Sequence, residues 1–131
     1  MNRLAPAKQI FLTSVSLLLW AFISYINWFA SFEELRFIGA VHIDKLAHLL
    51  GGIFIALVYE WSSGSPKLYC LLILLFGLAL GWEFLEYTFD AETRFFFETY
   101  PDLWRLDSLG DITSALLGSY GYFVFGMNRK S

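Results

Sequence analysis

Three pairs of ionisable residues stand out in a chain that is otherwise apolar. Asp44 and His48 are spaced i, i+4; Glu83 and Glu86 i, i+3; Asp107 and Asp111 i, i+4. On a helix, each spacing puts both side chains on one face, one above the other. Carboxylates beside an imidazole can divide acid and base work when their surroundings differ. His48 is the candidate general base, oriented by Asp44 or Asp111, and Glu83 is a candidate acid or ligand. The catalytic candidates are therefore His48, Glu83 and Asp111. The same region could instead hold an ion. Asp44, His48, Glu83, Glu86, Asp107 and Asp111 form an oxygen-rich set with one imidazole. Such a set suits Mg²⁺, Mn²⁺ or Ca²⁺, whereas zinc usually takes more nitrogen or sulfur. The spacing matches neither His-Glu-x-x-His nor an EF-hand loop. Lys45, Arg105 and Ser108 are the substrate-binding candidates. Arg105 could grip a phosphate or carboxylate with two parallel hydrogen bonds. Ser108 is the one hydroxyl in the right stretch, although a serine near a helix start is usually a cap.

Long apolar runs must position these residues. The chain has 131 residues, enough for one domain, of which 57% are hydrophobic, 20% aromatic and 16% charged. Soluble domains carry about 45–50% apolar and about 25% charged residues. An ordinary soluble enzyme and a disordered chain are both disfavoured on that ground. The net charge of −3 and the lack of a basic tract argue against a nucleic-acid partner. Cys70 is the single cysteine, so there is no internal disulfide and no cysteine cluster for metal or redox work. A membrane span needs about 20 mostly apolar residues. Residues 9–30, 43–61 and 68–89 qualify outright, and 107–127 is apolar after its first turn and rich in Gly and Ser. The first run is too long for a signal-peptide core and lacks a small-residue cleavage site before Glu33, so it reads as a retained helix. Residues 62–67 read as a turn, with Gly64 loosening the backbone and Pro66 starting the next helix. Residues 31–42 are polar and mixed. Residues 90–106 carry Phe95, Phe96, Phe97, Tyr100, Leu103 and Trp104 among charges. That segment is expected to lie on the membrane surface or fold back over the helices, with a break at Pro101. The expected fold is all-α: a single domain over 1–131, built as a four-transmembrane-helix bundle with an interfacial or folded-back extracytoplasmic segment between its third and fourth spans.

Alternating helix directions then bring the charges together. The second span starts, the third ends and the fourth starts at one membrane face, whichever face that is. The outcome is a cup of carboxylates with one imidazole at headgroup depth, with Asn27 at the same level on the first span. Protonation, Lys45 and Arg105, or a divalent cation must balance its charge. Putting Arg3, Lys8, Lys67, Arg129 and Lys130 inside and Arg36, Lys45, Arg94 and Arg105 outside gives cytoplasmic termini by the positive-inside rule. Glu60, His42 and Glu33 read as solvated or snorkelling groups at helix ends. Small residues should mediate helix contact in lipid. The stripes are Gly77 with Gly81, Gly110 with Ser114 and Gly118, and Ala47 with Gly51. Packing within one bundle is their first reading and dimerisation the second.

These residues, in this order, resemble the VanZ-like small membrane proteins. That family opens a helix with Asp-Lys-x-x-His, as Asp44, Lys45 and His48 do here, and places a Glu at the end of the next helix, matched by Glu83. An Arg, a Ser three residues on and an Asp three further are matched by Arg105, Ser108 and Asp111, with Gly118 seven residues later. The match covers residues 40–126. Glu86 stands where the family often has Gln, Ala115 where it often has Asn, and Asp107 is additional. The resemblance implies a multi-helix protein of the bacterial plasma membrane and supplies a fold and a site but no reaction. Its name-giving member is linked to resistance to a glycopeptide antibiotic, teicoplanin.

Two functions fit. One is an enzyme or binder, with or without a divalent ion, acting on an envelope lipid or lipid-linked glycan whose polar part reaches the cup. The other is a structural or accessory membrane protein whose polar network fixes helix packing. An ion pathway is disfavoured, because no ionisable side chain lies between Gly51 and Tyr59 or between Leu71 and Leu80. Membrane lipid is the expected partner. The sequence is silent on oligomeric state.

Overall fold

The computed structural model describes residues 6–30, 44–63 and 66–127. They form five α-helices and one π-helical stretch: α1 (Pro6–Ala30), α2 (Asp44–Ser62), α3 (Leu68–Phe89), α4 (Ala91–Thr99), α5 (Pro101–Gly121) and the π-helical Tyr122–Met127. No strand occurs among the described residues. The expected loop over 31–42, with His42 and Glu33, lies outside them, as do Gly64 and the side chain of Asn27.

Within the segment 90–106, residues 91–99 and 101–106 are helical, and the chain breaks at Tyr100, just before Pro101. Asp90 leaves α3 in an extended conformation (φ −96°, ψ 114°) and Tyr100 separates α4 from α5 (φ −135°, ψ 65°). Pro101 then starts α5, where its missing N–H would have no partner anyway, and Asp102 sits in the first turn where the helix dipole favours it. The last long helix therefore begins at Pro101 and not at 107. Edge-to-face rings pin the short helix. Phe97 of α4 meets Tyr87 of α3 at 4.8 Å and Trp104 of α5 at 4.7 Å.

The central pair is α2 and α5; α1 packs on α2, α3 packs on α5, and α4 bridges α3 and α5. α2 and α5 run parallel. Lys45 meets Asp107 and Asp111 at one end, and Tyr122 meets Glu60 at the other. Between those ends, two glycines let the backbones touch. A Cβ on Gly52 would collide with the Ala115 carbonyl, and one on Gly118 with the Leu49 carbonyl. Gly51 faces the Trp20 indole of α1 instead. Trp20 also lies parallel to Phe54 at 6.4 Å and meets Trp82 of α3 edge-on at 6.2 Å. A Cβ on Gly77 or Gly81 would meet nothing within 4 Å among the described residues. Those two therefore do not serve the intra-bundle packing expected of them.

Burial is inverted relative to a water-soluble protein. Gln9, Ser16, Glu60, Glu83, Ser108, Asp111 and Ser119 are buried, while Phe11, Leu18, Ile73, Phe84, Phe89 and Phe125 stand more than half exposed. Two helical stretches, Ala7–Tyr25 and Leu68–Phe89, are long and apolar enough to cross a membrane.

Candidate functional site

Asp44 opens α2, and His48 follows one turn later on the same face. Asp111 comes from the inward face of α5 across the parallel interface. The His48 Nε2 atom lies 3.7 Å from Asp44 Oδ1 and 3.7 Å from Asp111 Oδ1. One ligand atom from each of the three can be chosen so that all lie within 4.8 Å of one another. Donor atoms about 2.1 Å from a metal stand roughly 3.0–3.5 Å apart as neighbours, so the widest pair of this set would have to close by about 1 Å to hold such an ion. The Asp111 side chain is 5% exposed, against 14% for His48 and 22% for Asp44, so the site deepens from α2 towards α5.

A lysine ammonium already stands among these carboxylates. Lys45 Nζ lies 2.5 Å from Asp111 Oδ1, 2.5 Å from Asp107 Oδ1 and 3.4 Å from Asp44 Oδ2, and it also donates to the Asp107 backbone carbonyl at 3.2 Å. Its aliphatic stem lies across Gly110, where a Cβ would come within 2.9 Å of it. A side chain at position 110 would push the ammonium away from the aspartates. Three carboxylates around one ammonium leave a formal charge of −2, counting 1 − 3. The site therefore favours a further cation over an anion.

The remaining candidates divide. Ser108 donates a short hydrogen bond to Glu83 Oε2, and both residues are buried. Because α5 begins at Pro101, Ser108 lies inside the helix and is not a cap. Glu83 and Ser108 form a second polar contact, separate from the group of Asp44, His48 and Asp111. The catalytic trio His48, Glu83 and Asp111 is thus split between two neighbouring contacts. Glu86 is half-buried one turn beyond Glu83 and is not among the clustered donors. Arg105 is not in the cup. Its side chain is 68% exposed and its Nη1 lies 3.3 Å from Asp102 Oδ1 on the same helix. Six residues at about 100° each leave Arg105 roughly 120° around α5 from Asp111, so the two cannot share a face.

Glu60 also differs from expectation. It is only 3% exposed, and the Tyr122 hydroxyl donates to its Oε2 at 2.7 Å. Tyr122 stands eleven residues after Asp111, close to three full helical turns, so its place on the inward face was available from spacing. The π-helical turn that follows folds Gly126 against the Tyr122 ring, where any side chain would strike it. Tyr122→Phe removes the donor but keeps the ring. It is expected to lower stability by about 1–3 kcal/mol, read as a drop in thermal midpoint in detergent, because a hydrogen bond to a buried carboxylate is lost.

Comparisons with family models, with curated proteins and with solved structures each return no match for this chain.

Proposed function

We propose that this chain is a four-span membrane protein of the VanZ-like kind, in which α1, α2, α3 and α5 cross the bilayer of a bacterial plasma membrane. Its termini are cytoplasmic and its Asp44–His48–Asp111 corner lies at the extracytoplasmic face. There it binds a divalent cation, and through that ion it holds or processes the polar part of an envelope lipid or lipid-linked glycan. The pattern of burial supports the membrane reading: large apolar side chains outside cost nothing in lipid, while buried Gln9, Ser108, Asp111 and Glu60 find partners on other helices. Length supports the two less apolar spans. The 19 residues of α2 reach about 28 Å, close to the ~30 Å thickness of a hydrocarbon core.

One observation carries the ion: donors from two helices converge on a common point inside a site of negative formal charge. Two carboxylates and one imidazole leave coordination positions for water and a phosphate oxygen, as a working rather than purely structural metal site requires. The phosphate of a headgroup would then be held by the ion, since the aspartates would repel it directly. Titrating Mn²⁺, Mg²⁺ and Ca²⁺ into chelator-treated protein is expected to raise the thermal midpoint, by mass action, with one of the three ions at micromolar to millimolar concentration. Asp111→Asn and His48→Ala should each weaken that ion at least tenfold. Lack of response to all three ions would refute the site.

Lys45 favours a second reading. Its ammonium already meets Asp107 and Asp111 at 2.5 Å, so the network can be a self-sufficient helix clamp in an accessory membrane protein. On that reading the same substitutions lower expression and stability together, and no ion reverses the loss.

A further inference from the structure

One carboxylate at the aspartate corner serves two cations. Asp111 Oδ1 lies 2.5 Å from Lys45 Nζ and 3.7 Å from His48 Nε2. Asp111 is therefore at once an acceptor for the ammonium and a member of the group that would close on an ion. Asp107 differs in both respects. It lies outside that group, and its side chain is 56% exposed where that of Asp111 is 5% exposed. It offers the same ammonium two acceptors, Oδ1 at 2.5 Å and the backbone carbonyl at 3.2 Å. Lys45 thus stands between a buried carboxylate that an ion needs and an exposed residue that it does not. The lysine stem crosses Gly110, which puts no side chain in the way of a swing from one to the other.

Charge sets the order of binding. With the ammonium among Asp44, Asp107 and Asp111 the formal charge is −2, and an anion is repelled. A divalent ion brings that sum to zero and competes for Asp111. The ammonium then gives up Asp111 and keeps Asp107, at the exposed edge. One of its three N–H donors is freed for a new acceptor. An oxyanion arriving at that edge meets two cations, where before every cation was engaged by aspartates. A phosphomonoester suits the pair. It carries about two negative charges at neutral pH and three strong acceptor oxygens, so one oxygen can bind the ion while another accepts from Lys45. A carboxylate brings one charge, and the hydroxyls of a sugar bring none.

We propose that an incoming divalent ion displaces Lys45 from Asp111 onto Asp107, and that the ion and the displaced ammonium together bind a phosphate group. The corner is closed to phosphate without the ion and open to it with the ion. This rests on reading Asp44, His48 and Asp111 as an ion site, and it gives Lys45 a place in ligand binding and not in packing alone.

Calorimetric titration of the full chain in maltoside detergent, with protein-free titrations subtracted, reads both ligands. Glycerol 3-phosphate is titrated first in chelator and then with Mg²⁺, Mn²⁺ or Ca²⁺ at saturation. Acetate serves as the carboxylate comparator, and short-chain phosphatidic acid as the lipid bearing the same group. Glycerol 3-phosphate is expected to bind roughly tenfold more tightly with the ion than in chelator, and by linkage it must tighten the ion by the same factor. Lys45→Met should move the two ligands in opposite directions, the ion more tightly bound and glycerol 3-phosphate roughly tenfold more weakly. A lysine that only held helices together would weaken both. Gly110→Ala keeps the ammonium but crowds its stem off the aspartates, so it should tighten the ion and preserve ion-dependent phosphate binding. It decides the matter even where the methionine variant does not fold. Phosphate binding that is equal with and without the ion would overturn the displacement, as would parallel loss of both ligands in Lys45→Met. Acetate binding as tightly as glycerol 3-phosphate would overturn the phosphate assignment. Either source of phosphate satisfies the proposal: tighter binding of phosphatidic acid marks a lipid headgroup, and equal binding a soluble ester. Failure of all three ions to bind removes the ion site and this proposal together, whereas an ion that binds without admitting phosphate overturns this proposal alone.

Discussion

Gly52→Leu and Gly118→Leu are each expected to abolish the folded bundle, whereas Gly77→Leu and Gly81→Leu should be tolerated. The asymmetry follows from what a side chain would meet. At Gly52 it meets the Ala115 carbonyl, and at Gly118 the Leu49 carbonyl. Neither obstacle is the tip of a flexible side chain that could turn aside. Both belong to helix backbone held by its own hydrogen bonds, so the helices themselves must separate. The two contacts are reciprocal, one glycine on each of the parallel helices α2 and α5, and separation at one loosens the other. Even Gly52→Ala should cost at least the ~1–3 kcal/mol typical of an overpacked core. The leucine variants force a larger displacement, which would also pull Asp111 away from Asp44 and His48. Gly77 and Gly81 face open space within the protomer, and a leucine there adds apolar surface on a flank that already presents Ile73 and Leu74. Monomeric protein recovered by size-exclusion chromatography, together with its thermal midpoint, reads all four variants. Equal recovery of the Gly52 and Gly77 variants would contradict the close approach of α2 and α5.

These glycines also mark what the sequence could and could not convey. Span lengths and alternating direction were enough to bring Asp44, His48 and Asp111 to one end, because that argument needs no knowledge of helix rotation. Rotation was where inference failed. The i, i+4 pairing of Ala47 with Gly51 pointed to a common contact face, yet the buried stripe on α2 runs Ala47, Gly52, Ala56. Gly51 is turned towards α1 and Trp20. Gly77 and Gly81 satisfy the small-residue pattern on a helix whose only buried residues are Leu71, Leu75 and Glu83. The pattern states that close approach is allowed, not that a neighbour is there. Arg105 was placed by its order relative to Ser108 and Asp111, whereas helical angle puts it on the outside of α5. The start of that helix was hidden because Pro101 can break a segment or begin one, and only the packing of Phe97 against Trp104 decides between them. Glu60 looked like a helix-end residue free to reach water. Its burial depends on Tyr122, which arrives from a helix 62 residues away in sequence.

Lys45→Met should have the sharpest effect on the candidate site, and its direction separates the two functional readings. The ammonium is bonded to Asp107 and Asp111 and lies close to Asp44. Methionine keeps the unbranched stem over Gly110 and removes only the charge and its donors. Three carboxylates then remain at the corner without the cation that joined them. Removing one partner of a fully buried ion pair costs about 3–5 kcal/mol; solvent reaching Lys45 (24% exposed) and Asp107 (56% exposed) lowers that cost, and the loss falls mainly on the buried Asp111. In chelator, the variant is therefore expected to melt well below the parent protein. Adding a divalent ion decides the rest. If the corner is a metal site in which Lys45 competes for the same oxygens, the variant should bind Mn²⁺, Mg²⁺ or Ca²⁺ more tightly than the parent. An ion at one hundred times its dissociation constant would then return about 2.7 kcal/mol. If the corner is a helix clamp, the loss persists at every ion concentration, because the missing element is a tethered charge with fixed reach and not a free ion. Asp111→Asn in the same background removes the negative charge of the carboxylate shared by lysine and metal, so it should cancel any rescue. The ammonium of Lys45 thus occupies the position that decides the chemistry: a resident cation makes the corner structural, and a displaceable one makes it a binding site.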